Sequence, residues 1–89
     1  MNQEARRQAI ERAKAVMATH QESLLAKANV VGVGVGFVQR GGQRTDEVGL
    51  VVMVRQKVDR SQLAAADLVP QQIAGVTVDV QATGGIWAQ

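Results

Sequence analysis

The stretch Val30 to Phe37 reads Val-Val-Gly-Val-Gly-Val-Gly-Phe, and few folds accept it. Successive strand side chains point to opposite faces, so Val31, Val33, Val35 and Phe37 share one face and Val30, Gly32, Gly34 and Gly36 the other. One face is bulky and the other is close to bare backbone. Glycine inside a strand costs roughly 0.5–1 kcal/mol relative to alanine and offers nothing to pack. Three in alternation therefore predict that something lies close against that face, and the expected occupant is the helix that precedes it.

That helix is written plainly. Gln3 to Ala28 contains no Gly or Pro and is rich in strong helix formers. Ala9, Ile10, Ala13, Val16, Met17, His20, Leu24, Leu25 and Ala28 recur at spacings of three and four, which makes one apolar stripe. Thr19 to Glu22 has the spacing of a capping box, yet nothing there forces a break, so one continuous helix is expected. Asn29, tolerant of the left-handed conformation, terminates it. At 1.5 Å per residue the helix is roughly 38 Å long, against about 27 Å for an eight-residue strand. An overhang of about two turns follows, and an overhanging amphipathic end suits a second subunit.

Val30 to Gln39 is the first strand and Glu47 to Arg55 the second, joined as an antiparallel hairpin by a longish loop around Arg40 to Thr45. The run from Val48 to Val54 is almost continuously apolar, as in a strand covered on both faces. Gln56 to Gly75 forms a connection with a short helix that Asp59 or Ser61 caps and Pro70 stops. Val76 to Val80 alternates as a third strand, valines inward and Thr77 and Asp79 outward. A right-handed crossover makes it parallel to the second strand and sets it beside the first, which then lies in the middle. Ala82 to Gln89 is a tail with a Gly84-Gly85 flex before Ile86 and Trp87, and a tail tryptophan serves as an anchor.

Chemistry-bearing patterns are sparse. The chain has no cysteine, so disulfides and thiolate zinc ligands are excluded. Its one histidine, His20, lies on the apolar stripe without a carboxylate one turn away, which fits a boundary residue and no metal site. Gly32 to Gly36 sits inside a strand, whereas a phosphate-binding glycine loop follows a strand and opens a helix. Ser23 and Ser61 have no nearby base, and the acidic residues are scattered, so no catalytic residue, cofactor or enzyme activity is expected. Arg40, Arg44, Arg55, Lys57 and Arg60 form a possible anion-contact cluster at one end of the hairpin and its exit. Interleaved Asp46, Glu47 and Asp59 weaken its field, and with two aromatic residues in the chain, nucleic-acid binding is a minor expectation. The polar N-terminus is no signal peptide and no apolar run spans a bilayer, so a cytoplasmic, membrane-free protein is expected.

The His20 to Leu25 lead-in, Asn29 to Gly36, the apolar strand Gly49 to Val54, Leu68-Val69-Pro70 and Ile73 to Val80 together resemble the segment that precedes the catalytic domain in bacterial trypsin-like serine peptidases. The resemblance covers about two thirds of the chain and rests on structural valines and glycines. It carries over no triad residue and implies an accessory or free-standing domain, here without the peptidase.

The expected fold is thus α+β: a long N-terminal helix packed on a small three-stranded, mostly antiparallel sheet with a short crossover helix. Residues 1–89 make a single domain, with 1–29 the helix, 30–81 the sheet with its crossover and 82–89 the tail. The expected function is a non-catalytic self-association or protein-interaction module, with Ile10, Met17, Leu24, Ile86 and Trp87 at the contacts between copies in a homo-oligomer. A peptidase-associated pro-region or inhibitor-like domain docking on a peptidase partner is the first alternative, and a weak nucleic-acid-binding domain the second.

Overall fold

The computed structural model describes residues 2–82, and of Arg60 the backbone alone. Helix α1 (Gln3–Leu25) is followed by β1 (Val30–Arg40), β2 (Gln43–Val54), two 3-10 turns (Arg60–Gln62 and Ala65–Asp67), β3 (Gln72–Ile73) and β4 (Val76–Ala82). The sheet has four strands in the order β1-β2-β4-β3. β1 and β2 are antiparallel, β2 and β4 parallel, β3 and β4 antiparallel. The expected α+β class and the parallel relation of β4 to β2 are present. The strand count and order are not: the sheet is mixed, and β2 rather than β1 occupies the middle. An almost unbroken apolar run is what a central strand with neighbours on both sides requires. The extra strand is the two-residue β3, folded back by Ala74 and Gly75 at φ 51° and 81°.

α1 begins at Asn2, whose side chain accepts a hydrogen bond from the Ala5 amide at 2.7 Å, an N-cap that satisfies one orphan donor. It runs through Thr19 without interruption and ends at Leu25, a turn earlier than the propensity suggests. Asn29 takes φ 76° and clamps the entry to β1 on both sides: its side-chain amide donates to the Gln56 carbonyl at 2.6 Å, and its own carbonyl accepts from Arg55 N at 2.9 Å. The hairpin loop is shorter than expected. Gly41 and Gly42, at φ 59° and 78°, form a two-residue turn of the kind whose twist matches paired strands, so pairing runs through Arg40 and Gln43. The crossover carries two 3-10 turns instead of an α-helix. Asp59 caps the first by accepting from both the amide and the hydroxyl of Ser61.

The helix lies on the valine face of β1, not on the glycine face. Val33 pairs with Val52, Val35 with Leu50 and Phe37 with Val48, so these six side chains share the face on which Ala13, Val16 and Leu24 of α1 are buried. Each square ångström of apolar surface removed from water contributes roughly 25 cal/mol, and the glycine face has none of it to offer. A bulge between Val30 and Gly32 also exchanges two residues: Val30 packs on the core, and Val31 turns out with 40% of its surface exposed. Burial along α1 begins at Ala9; Asn2 to Gln8 are exposed, with Ala5 the one apolar residue among them.

Among the described glycines, Gly49 of β2 is the one where a Cβ would run into another strand's backbone. A Cβ there would stand 2.5 Å from the Thr77 carbonyl oxygen and 2.9 Å from Val38 Cγ2, whereas at Gly34 it would meet nothing within 4 Å. Gly49→Ala is therefore expected to destabilise the protein by about 1–3 kcal/mol, because β4 would have to move. Gly34→Ala should leave stability unchanged or raise it by up to about 1 kcal/mol. Urea unfolding of the two variants measures the contrast.

Candidate interaction surface

The face of the sheet away from α1 is built from the residues that alternate with the core. β1 contributes Gly32, Gly34 and Gly36, β2 contributes Glu47, Gly49, Val51 and Met53, and β4 contributes Thr77, Asp79 and Gln81. Its two ends differ. Toward the hairpin, Val38 is only 3% exposed and sits over the gap left by Gly49. The bulge between Phe37 and Gln39 takes the Gln39 amide out of the ladder, and the Asp79 carboxylate accepts it at 2.9 Å while also accepting from Gln81 at 2.9 Å. Thr77 donates its hydroxyl to Glu47 at 2.6 Å, and Arg40 pairs with the other oxygen of the same carboxylate. The Thr77 hydroxyl and then the Arg40 guanidinium hold the Glu47 carboxyl below its usual range. These contacts stitch β1, β2 and β4 together across the back of the sheet.

Toward the other end the face is smooth. Gly32 and Gly36 approach only the side-chain ends of Met53 and Val51, and Gly34 approaches nothing. β1 is also terminal in the sheet, so among the described residues its outer edge has no strand partner. Between its two bulges, Gly32 to Phe37 is regular strand with neither charge nor proline, the devices that usually guard an edge.

The residues singled out from the sequence fall in different places. Leu24, expected between subunits, is 2% exposed and belongs to the chain's own core. Ile10 and Met17 are partly buried against that core, on the opposite side of the sheet from the glycines. Ile86 and Trp87 lie outside the described residues. His20 is half-buried on α1, and its carbonyl accepts from the Ser23 hydroxyl at 2.9 Å.

The basic residues do not form one cluster. Arg40 and Arg44 flank the hairpin turn, while Arg55 and Lys57 follow the far end of β2, roughly 35 Å away at strand rise; the side chain of Arg60 is not described. Arg40 is engaged by Glu47. Arg44 and Arg6 lie over the Phe37 ring, 4.4 and 5.8 Å from its centroid, within cation–π distance of its face. The sequence missed the polar stitch. Its signals were the lone glycine in the apolar run Val48 to Val54 and the Thr77, Asp79, Gln81 alternation.

Taken together, the described residues define a small α+β domain with one helix on a mixed sheet and an open back face. Residues 11–89 match the family model of the NARROW LEAF 1 N-terminal domain, and the chain belongs to that family. The comparison with curated proteins returns no match. The family assignment corrects the resemblance to the segment preceding bacterial trypsin-like peptidase domains. The residues behind that resemblance are core valines and strand glycines, which specify a hairpin and its parallel neighbour and so carry little family information.

The lowered Glu47 value makes the stitch pH-dependent. A carboxyl whose folded pKa is depressed adds stability that is complete above its ordinary value of 4.5 and is lost as pH falls through the lower folded value. The stability difference between wild type and Glu47→Gln, followed by urea unfolding against pH, is expected to be constant near neutrality and to close in that acidic window.

Proposed function

We propose that the domain is a non-catalytic self-association module, and that a second copy of the chain docks on the glycine face and free edge of β1. One observation carries this reading: at Gly34, in mid-strand where glycine is unfavourable by roughly 0.5–1 kcal/mol, a Cβ would meet nothing within 4 Å, and at Gly32 and Gly36 it would meet side chains alone, Met53 and Val51, and no backbone of the described residues. A close approach from outside gives those positions a reason. A surface patch that meets its own copy does so about a two-fold axis, and the smooth stretch Gly32 to Phe37 suits such a contact because little side-chain volume must be matched. The exposed Val31 adds apolar area beside it. Among the described residues no helix is long and apolar enough to cross a membrane; a cytoplasmic setting and a single-domain organisation belong to the same proposal.

The test is solution mass by light scattering across a concentration series. The wild type is expected at twice the 9.5 kDa of one chain. Gly34→Lys is expected as a monomer with unchanged circular dichroism, since the position is open and a charge there would be desolvated by the partner. A wild type that stays monomeric, or a Gly34→Lys variant that still dimerises, overturns the reading.

A further inference from the structure

The outer side of β4 is covered along only part of its length. The Val78 amide donates to the Gln71 carbonyl at 3.0 Å, so Val78 and, two residues on, Val80 turn their backbone groups toward the β3 side. β3 itself pairs two residues with β4, Gln72 with Thr77 and Ile73 with Val76. Pro70, one residue before Gln71, has no N–H with which to extend that ladder. The two segments diverge, and a cleft of about 310 Å³ opens between them. Val69, Pro70 and Gln71 line one side of it and Val78 and Val80 the other, while Val58 and Leu63 of the connector form its wall. Among the described residues no strand pairs with β4 beside Val80.

We infer that this gap seats an extended segment of another protein, which adds to β4 as a strand in the line of β3 and places one large apolar side chain in the cleft. Three observations set the chemistry of the occupant. The outward backbone groups at Val80 call for a chain with its own N–H and C=O groups, which an apolar small molecule lacks. The volume is near the lower end of small-ligand sites, which run from roughly 300 Å³ upward, and it suits a single aromatic side chain. β4 also alternates, with Val76, Val78 and Val80 toward the core and Thr77, Asp79 and Gln81 on the back, so a strand beside it continues both faces when its own residues alternate apolar and polar in step. This edge is the opposite one from β1, and the inference does not rest on the proposed self-association.

The probe is the fluorescein-labelled peptide Lys-Thr-Val-Thr-Phe-Thr-Val-Thr-Lys-amide, titrated with the full chain and followed by fluorescence anisotropy. Saturable binding is expected. It should weaken in Val58→Glu, which places a charge in the wall, and persist in Gly34→Lys, which alters the β1 edge. Successive residues of a strand present their N–H groups to opposite edges, so two N-methylated peptides separate strand addition from capture of an apolar side chain alone: one is methylated on the Thr amides, the other on the Val and Phe amides. One of them is expected to lose about tenfold or more in affinity and the other to bind like the parent, because a single edge of the peptide meets β4. No binding to the full chain overturns the inference. An equal effect of the two methylated peptides also overturns it, since the cleft would then take an apolar group without a strand. Binding lost in Gly34→Lys places the peptide on β1, and a peptide that acts by dissociating a dimer in light scattering shows a second copy on the edge; either result overturns the inference. If Val58→Glu fails to fold, the methylated pair and Gly34→Lys decide.

Discussion

Leu50 and Val52 of β2, both 0% exposed, lie where α1, β1 and β4 meet, and the arrangement of the other elements depends on their burial. Each pairs with a β1 valine on one side and a β4 valine on the other, Leu50 with Val35 and Val78, Val52 with Val33 and Val80. α1 closes the layer with Ala13, Val16 and Leu24. In a chain of 89 residues the fraction of surface that can be buried is small, so a three-element junction around one strand is an efficient use of it. The parallel pairing of β4 is the price of that junction, since it requires the long connector 56–71 to carry the chain back. The connector is held in turn by Lys27, whose ammonium donates to the Ala66 carbonyl at 2.7 Å, and by Asp67, which accepts from the Ala28 amide at 2.9 Å.

The two faces of the sheet solve different problems. The helix side excludes water from valines. The back side keeps three strands in register with few apolar side chains, and it does so through Gly49. Removing a side chain from the middle strand lets Val38 and the Thr77 backbone approach each other over the gap. That approach brings Asp79 within reach of the Gln39 amide and Glu47 within reach of Thr77. One missing Cβ thus precedes the whole polar network, and the bulge that frees the Gln39 amide is matched by the carboxylate that accepts it.

Periodicity was sufficient to find α1, β2 and β4 and to place Asn29 in a left-handed turn, because each of those features is set by local chemistry. Alternation in β1 was equally clear, but it states only that two faces differ, and which face is buried was decided by residues of β2. A bulge has no signature in a period of two, so the exchange of Val30 and Val31 was hidden. The basic residues misled for a related reason: the sharpness of the Gly41-Gly42 turn lengthened both strands and carried Arg40 and Arg44 to the opposite end of the sheet from Arg55. The resemblance to a peptidase-associated segment failed where it rested on valines and glycines, residues that any hairpin of this shape would share.

The glycines of β1 then pose a physical question of their own. An edge strand of 11 residues without proline would invite open-ended pairing if its whole length were regular. The bulges at Val31 and Val38 cut the regular stretch to the segment between them, and glycine lowers its intrinsic preference for further sheet growth. A short, smooth, weakly β-forming edge favours one defined contact over many, because a closed two-fold pairing would use the β1 edge of each copy and leave only the two-residue β3 at the other side of each sheet. On the self-association we propose, the glycines that would admit a partner would also limit the assembly, and the stability they forgo within one chain would be recovered where a second chain covered them.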